Sequence, residues 1–288
     1  MFAIPRSPFI PFEFLALAII MLVFSAPTIA ADGPDLPAAF RPLDRLYTGT
    51  VTEVVDGDTV RIDNGREVRM VGIQAPKLPL GRAGFRKWPL ADTAKAVLEA
   101  LAQGHHFTAL AGGQPVDRHG RDLAHLVDTD DGVWLQGEML RLGLARVYSF
   151  PDNRALVAEM LTRERQARAD GIGIWGHPFY AIRTPDGLAN LINTFQIVEG
   201  RIVDAARVRS TVYLNFGADW RTDFTVSLDR QALRLFADLD QRPDEWTGRL
   251  IRVRGWLRNR NGPMIEASHP EQIELLDPAA DHPETHRE

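Results

Sequence analysis

Short β-strand patterns separated by tight-turn signals constrain the first half of this chain more than any other feature. Asp56 and Gly57 mark one turn, and Asn64 and Gly65 mark a second. An Asn-Gly pair between two apolar segments is typical of a two-residue hairpin loop. The predicted strands that these turns separate are residues 47–55, 58–62 and 67–73.

Helices and further strands follow these segments. Asp152 is a suitable N-cap for the last helix of this half, and Gly171 is a suitable stop for it. The predicted helices are residues 91–103, 134–142 and 153–169, and the predicted strands are residues 105–111 and 122–128. The first half therefore combines short strands with amphipathic helices, which is typical of a mainly β fold with helices (α+β).

Past residue 180 the strand pattern returns. Strands are predicted at residues 195–203, 212–216, 224–228 and 250–258, with a helix at 230–239 and a short strand pair near Met264 and Ile273. Three strands, a helix and two strands follow the order of an OB-type barrel. We therefore expect a second small OB-like β-barrel domain over residues 195–277, after a linker at 178–194. The last residues, 278–288, are predicted to be a disordered polar tail.

The N-terminus has the features of a secretory signal peptide. Arg6 precedes the apolar run at residues 14–24, and small residues follow it. This order predicts cleavage near Ala30 or Ala31, so that residues 1–31 are removed and a Pro- and Asp-containing linker, 32–46, begins the mature chain. The alternative is an uncleaved anchor, but the run is short for a membrane span. We expect a secreted or periplasmic bacterial protein with no stable membrane span after cleavage.

Charge and cysteine content limit the possible functions. The formal net charge is -5, so a nucleic-acid partner would have to be held by a local basic cluster. The chain has no cysteine, which excludes disulfides, thiolate metal sites and a cysteine nucleophile. Neither observation identifies an oligomeric state.

Five ordered sequence pieces resemble the thermonuclease (staphylococcal-nuclease-like) family. They are VVDGDTVRI, VRMVGIQAP, DRHGRDLAHL, LGLARVY and GIGIW, and the resemblance covers residues 47–177. It implies a five-stranded OB-type barrel with three helices and Ca²⁺-dependent phosphodiester hydrolysis of DNA or RNA. In the order of the pieces, one acidic turn and two arginines would surround one phosphate.

The resemblance assigns roles to individual residues. Asp58 matches the family's metal-binding aspartate and Asp56 its supporting acid. Arg69 and Arg121 match the two arginines that clamp the phosphate, where paired hydrogen bonds would offset the charge of the transition state. Tyr148 falls where the family stacks an aromatic ring on the base. Phe150 is a weaker match for the same role, and Trp175 matches a tryptophan near the end of the last helix, for which a structural role is expected.

Two departures from the family pattern affect the active site. Gln74 replaces a metal-binding aspartate and offers a neutral amide oxygen, while Ala75 replaces a threonine. Lys77 replaces the glutamate assigned as general base, so a cation stands near the metal site and could itself contact phosphate. Because Ca²⁺ affinity depends on ligand charge and a general base contributes about 10²–10⁴-fold, we expect weakened hydrolysis. His119 is a candidate substitute base, although a simple role as a polar turn residue is the alternative.

Two further interpretations stay open. The barrel could be a non-catalytic module that binds nucleic acid or another polyanion, since Gln74 and Lys77 weaken the case for catalysis. In the second half, Trp256 lies among four arginines at positions 252, 254, 258 and 260. This strand pair could bind single-stranded nucleic acid, or it could be a barrel wall with tryptophans in the core and arginines pointing outward.

Overall fold

The computed structural model describes residues 38–276, and its first half is a closed five-stranded barrel. The expected signal peptide at 1–31, the first part of the linker, 32–37, and the polar tail at 278–288 lie outside the described residues. Around the barrel the strand order is β1-β2-β3-β6-β5. The strands of this half are β1 (Arg45–Asp56), β2 (Thr59–Ile62), β3 (Glu67–Met70), β4 (Ile73–Gln74), β5 (His106–Leu110), β6 (Asp122–Asp128) and β7 (Arg146–Val147).

The long strand β1 closes this barrel because its two halves pair with different neighbours. Its first half, from Arg45 to Thr50, pairs with β5, and its second half, from Val51 to Asp56, pairs with β2. Strand β3 runs parallel to β6, and all other pairs in the barrel are antiparallel. The expected mainly β fold with an OB-type barrel is confirmed.

Three helices cover the first barrel: α1 (Ala91–Ala102), α2 (Leu135–Arg141) and α3 (Val157–Ala169). Helix α3 begins later than expected, and Asp152 is not its N-cap. Residues 150 and 153 form a β-bridge, and Leu156, with φ of 59°, precedes the first helical turn. Phe40 packs edge-on against Trp134, so the chain joins this core before residue 47.

The second half forms a sheet whose strand pairing repeats that of the first barrel. Its strands are β8 (Phe195–Arg201), β9 (Asp204–Val208), β10 (Thr211–Asn215), β11 (Thr225–Leu228), β12 (Leu250–Asn259), β13 (Pro263–Ala267) and β14 (Ile273–Leu275), with α4 (Arg230–Ala237) after β11. Strand β11 runs parallel to β13, as β3 does to β6.

The ring of strand pairs in the second half closes at the bend between β8 and β9. Strand β8 pairs with β12 and strand β9 pairs with β10. Within the bend, the Ile202 N–H donates to Arg249 O at 2.9 Å, while the next N–H, of Val203, donates to Asn215 O at 2.8 Å. One continuous segment therefore serves both edges, as β1 does in the first barrel. With β8 and β9 counted as one bent strand, the pairing order β8/β9-β10-β11-β13-β12 and the helix after β11 match the expected OB-like order.

The segment between the barrels is packed rather than free. Tyr180 is buried and donates its hydroxyl to Pro89 O at 2.7 Å, and Leu188 belongs to the second core. Among residues 38–276, no helix has the length and apolarity needed to cross a bilayer.

Candidate functional site

Asp56 and Asp58 are fixed by the tight turn between β1 and β2. Gly57 between them packs so closely that a Cβ there would lie 2.7 Å from the Ala75 Cβ and 2.8 Å from the Ala94 Cβ. The Asp58 N–H donates to Asp56 Oδ1 at 3.1 Å, which holds the turn. Both carboxylates are buried, and Asp58 has no exposed surface. Two acids in one buried turn need a cation or a proton to offset their charge.

Lys77 supplies that cation. Its ammonium Nζ lies 2.6 Å from both carboxylate oxygens of Asp58 and 3.3 Å from Asp56 Oδ2. The Ala75 N–H also donates to Asp58 Oδ2, at 2.7 Å. Lys77 is 18% exposed, so this contact is largely shielded from solvent.

The two carboxyls respond oppositely to this environment. Burial would raise the pKa of Asp58, but the charges of Arg69 and Lys77 outweigh burial and hold that pKa below its ordinary value. Burial, followed by the neighbouring charge of Asp58, raises the pKa of Asp56. Asp58 is therefore the anion with which the Lys77 ammonium pairs most closely.

Gln74 faces Arg146 rather than the acidic turn. The two residues are cross-strand partners in the β4–β7 pair, and Gln74 Oε1 accepts from Arg146 Nε at 3.0 Å and Nη2 at 2.7 Å. Burial lowers the pKa of Arg146 to about 10, and its guanidinium lies 4.4 Å from the ring centroid of Phe195 in the second barrel. The amide oxygen that was expected to reach a metal is therefore engaged by a buried arginine.

Arg69 joins the acidic turn to the neighbouring backbone. Its Nη1 donates to Asp58 O at 3.1 Å and Met70 O at 2.7 Å, and its Nη2 donates to Ile73 O at 2.6 Å. Nη2 also lies 3.2 Å from Asp58 Oδ2. The expected phosphate role of Arg69 would require some of these donors to be redirected.

Arg121 is more available. It follows a turn in which Asp117 Oδ1 accepts the backbone N–H groups of His119 and Arg121. The Arg121 side chain pairs with Asp117 through Nε and Nη2 and remains 31% exposed, whereas Nη1 is 3.9 Å from Glu67. Asp117 holds one edge of this guanidinium, whereas the partner of Nη1 within residues 38–276 is the more distant Glu67.

A cleft of about 900 Å³ lies beside these arginines. Of the predicted site residues it is lined by Arg69, Arg121 and Tyr148, whereas Asp56, Asp58, Gln74 and Lys77 do not line it. His119 and Phe150 also line it, and so do Trp256 and Arg258 from strand β12 of the second barrel. The acidic turn and the cleft thus meet only through Arg69 among the predicted residues.

The residues present do not fit a Ca²⁺ ion. Calcium needs several oxygen ligands, including carboxylates. The Asp58 oxygens instead accept from Lys77 and the backbone, and the Gln74 oxygen accepts from Arg146. Within residues 38–276 there is no group of three or more acidic or histidine side chains placed to hold a metal.

Sequence reasoning missed three arginine and tryptophan contacts near this site. Arg146 engages Gln74, and Trp256 Nε1 donates to the Tyr148 hydroxyl at 2.9 Å. Arg254 was expected either on a binding face or pointing outward, but it is buried against Glu164. Arg254 lies on the face of β12 that points away from the second core, and the first barrel covers that face. No local sequence signal reports such a contact between distant segments.

Comparison with known proteins finds similarity in the first half of the chain. The family model described as staphylococcal nuclease homologue matches residues 67–177. An uncharacterized protein of Methanocaldococcus jannaschii is 28% identical over 45% of this chain and 72% of its own length. An uncharacterized endonuclease of Escherichia coli is 25% identical over 55% of this chain and 88% of its own length. The endonuclease YhcR of Bacillus subtilis is 27% identical over 45% of this chain but only 11% of its own length.

The matched span contains the barrel strands β3, β5 and β6 and all three helices of the first half. It also contains Arg69, Lys77, Arg121 and Tyr148. The closed five-stranded barrel with its helices is consistent with a staphylococcal-nuclease-like fold. Residues 67–177, which form most of the first barrel and its helices, therefore match a staphylococcal nuclease domain.

Proposed function

We propose that this protein is an exported member of the nuclease family that binds a nucleic-acid phosphodiester beside Arg121 and hydrolyses it far more weakly than a Ca²⁺-dependent nuclease. One observation carries the proposal: the Lys77 ammonium lies 2.6 Å from both oxygens of Asp58. A fixed cation of the chain itself thereby replaces the charge that a metal ion would bring. The non-catalytic module is the limiting case of the same arrangement, in which no hydrolysis remains.

Binding does not depend on the altered acids. Arg121 is 31% exposed at the cleft, and a guanidinium can donate two parallel hydrogen bonds to phosphate oxygens. Tyr148 lines the same cleft and offers an aromatic surface for the adjoining base. DNA and RNA share the phosphate and the base faces, so this chemistry suits either polymer.

Hydrolysis would lack the carboxylate base that the family resemblance implies. Lys77 has no carboxylate with which to position water, and its ammonium is paired with both oxygens of Asp58. His119 lines the cleft, where its ring Nε2 accepts from Arg118 Nε at 3.1 Å. An imidazole is a common general base, so His119 is the candidate for proton transfer here. A residual, metal-independent activity that is lost on His119→Ala would assign the base to this histidine.

Arg121→Ala is expected to weaken binding of a nucleotide diphosphate by roughly 10–100-fold, because a charge-assisted pair of hydrogen bonds is lost. Isothermal titration calorimetry would measure the dissociation constant with Ca²⁺ and with EDTA, and the two values should agree. Arg61→Ala is the matched control, since Arg61 pairs with Glu53 and does not line the cleft. Equal effects of the two substitutions, or wild-type binding that needs Ca²⁺, would contradict the proposal.

Export is a separate part of the proposal and rests on the N-terminal sequence alone. A short apolar run between Arg6 and a series of small residues is expected to direct secretion and cleavage. Mass spectrometry of the protein from its native host should find a mature N-terminus near Ala31 or Asp32. Intact Met1 in the membrane fraction would contradict export of a cleaved form.

A further inference from the structure

The cleft beside Arg121 continues onto the second barrel. A smaller cavity of about 200 Å³ shares four lining residues with it: Tyr148, Phe150, Trp256 and Arg258. Its remaining lining residues come mostly from the second half. The two cavities therefore form one groove that passes from the first barrel across β12.

Exposed aromatic rings lie along the shared part of this groove. Phe150 is 47% exposed and Trp256 is 40% exposed. The Tyr148 ring meets Phe150 edge-on at 4.9 Å between centroids, and its hydroxyl accepts from Trp256 Nε1 at 2.9 Å. Large exposed aromatic surface is costly in water and marks a binding surface when the rings are grouped. Rings held at fixed angles are suited to stacking with nucleobases.

The charge along the groove suits a polyanion. Four arginines line the main cleft, at positions 69, 118, 121 and 258, against two aspartates, Asp117 and Asp152. Asp117 is already paired with Arg121. Arg258 is exposed, and its guanidinium lies 5.8 Å from the ring centroid of Trp256. A positive group beside an exposed ring can contact the phosphate that follows a stacked base.

The aromatic part of the groove is held rigidly by buried charges at the contact between the barrels. Arg254, two residues before Trp256 on β12, donates to both oxygens of Glu164 at 2.9 Å. Glu164 Oε2 also accepts the N–H of Val147, the residue before Tyr148, at 2.6 Å. The Arg254–Glu164 ion pair therefore holds the backbone next to Tyr148 and next to Trp256. A preorganised surface of this kind loses little entropy on binding.

We propose that Trp256 and Arg258 form a second subsite, which takes the base and phosphate next to the phosphodiester held at Arg121, and that the substrate is a single strand. The proposal rests on the proposed function, and it extends the site onto the second barrel. A single strand is required because only unpaired and unstacked bases present their faces to aromatic side chains. A duplex hides those faces.

Fluorescence anisotropy with a labelled oligothymidine of about ten nucleotides tests this subsite. Trp256→Ala is expected to weaken binding roughly tenfold, as is typical for loss of one base stack. Trp256→Phe keeps a ring and should lose much less. Arg258→Ala, at an exposed position, should also weaken binding and make it less sensitive to salt. The binding of a nucleotide diphosphate, which the proposed function assigns to Arg121 and Tyr148, should change much less in Arg258→Ala, because that variant keeps the hydrogen bond from Trp256 to Tyr148.

Trp220→Ala is the matched control, because Trp220 is 50% exposed on the same barrel but lines a different cavity. Loss of oligothymidine binding by Arg121→Ala but not by Trp256→Ala or Arg258→Ala would overturn the subsite and leave the proposed function intact. Normal binding by Arg121→Ala would instead overturn the proposed function. Equal affinity for a duplex of the same length, equally reduced by Trp256→Ala, would overturn the single-strand assignment.

Discussion

Replacing Lys77 by glutamate together with Gln74 by aspartate is expected to raise Ca²⁺-dependent cleavage of single-stranded DNA by about 10²–10⁴-fold, the usual contribution of a general base. Lys77→Glu removes the ammonium that now lies between Asp56 and Asp58 and supplies a carboxylate in its place. Gln74→Asp adds the second acid of the loop. Arg146, which donates twice to Gln74, will compete for that acid, so the gain in Ca²⁺ affinity should be smaller than the charge change alone suggests.

Lys77→Met tests the loss of the cation independently of the gain of a base. It removes the positive charge without adding a carboxylate, so two buried acids are left beside Arg69 alone. The melting temperature of this variant should fall in EDTA and recover with Ca²⁺, since a ligand that binds only the folded state stabilises it. The wild type should show no such recovery, and Lys77→Met should cleave DNA no faster than the wild type, because it gains no carboxylate base.

The restored activity also has to depend on the phosphate site. Adding Arg121→Ala to the double variant should abolish the gain, because parts of an active site act together and their effects do not add. Plate and gel assays over a Ca²⁺ titration measure these rates. Family-like cleavage by the wild type with Ca²⁺ would contradict the role given to Lys77. A double variant that folds and binds Ca²⁺ but stays inactive would show that the site differs beyond this loop.

The sequence predicted most of the strands and helices, because turns, caps and apolar patterns are local features, but it did not predict β7 or β9. The turn at Asn64 and Gly65 separates β2 from β3, and the strand-helix-strand order of the second half predicted its barrel. The start of α3 was predicted too early, because Asp152 resembles a cap while Leu156 takes the last non-helical position. Such boundaries depend on packing that a short window of sequence does not contain.

The site was only partly predictable for the same reason. The change to Lys77 is visible in the sequence, and its pairing with Asp58 follows from placing a cation where an acid was expected. The partner of Gln74 is not visible, since Arg146 lies 72 positions away and meets it through a short cross-strand pair. Strand alternation placed Arg254 away from the second core, but it could not show that another barrel covers that face.

Removing the Arg254 side chain is expected to cost about 3–5 kcal/mol of unfolding free energy, which is typical when one partner of a buried ion pair is lost. Arg254 is 2% exposed and Glu164 is not exposed at all. Arg254 Nη2 also donates to Glu274 Oε1 at 2.8 Å. In Arg254→Met the acids would keep Arg168, which contacts both, but the charge of the buried cluster would no longer balance.

Urea unfolding of Arg254→Met and of Arg260→Met measures this cost against a matched control. Arg260 is 69% exposed and pairs with Glu266 on the surface of the same barrel, and exposed pairs contribute about 0–1 kcal/mol. Equal losses in the two variants would show that the buried cluster does not stabilise the contact between the barrels. Because Arg254 also supports the backbone near Trp256, Arg254→Met should in addition weaken oligothymidine binding under conditions in which the protein stays folded.

The same cluster gives the stability a definite pH dependence. Burial would raise the pKa of Glu274, but the charges of Arg254 and then Arg168 outweigh burial and lower it below the ordinary value of 4.5. The unfolded chain therefore binds this proton more readily than the folded protein does, so the contribution of Glu274 is complete above pH 4.5 and is lost as the pH falls below it. The unfolding free energy of the wild type should decline across that acid range. In Arg254→Met the decline should be shallower, because the largest charge that lowers this pKa is gone, and an unchanged slope would contradict the assignment of Arg254 as the main partner of Glu274.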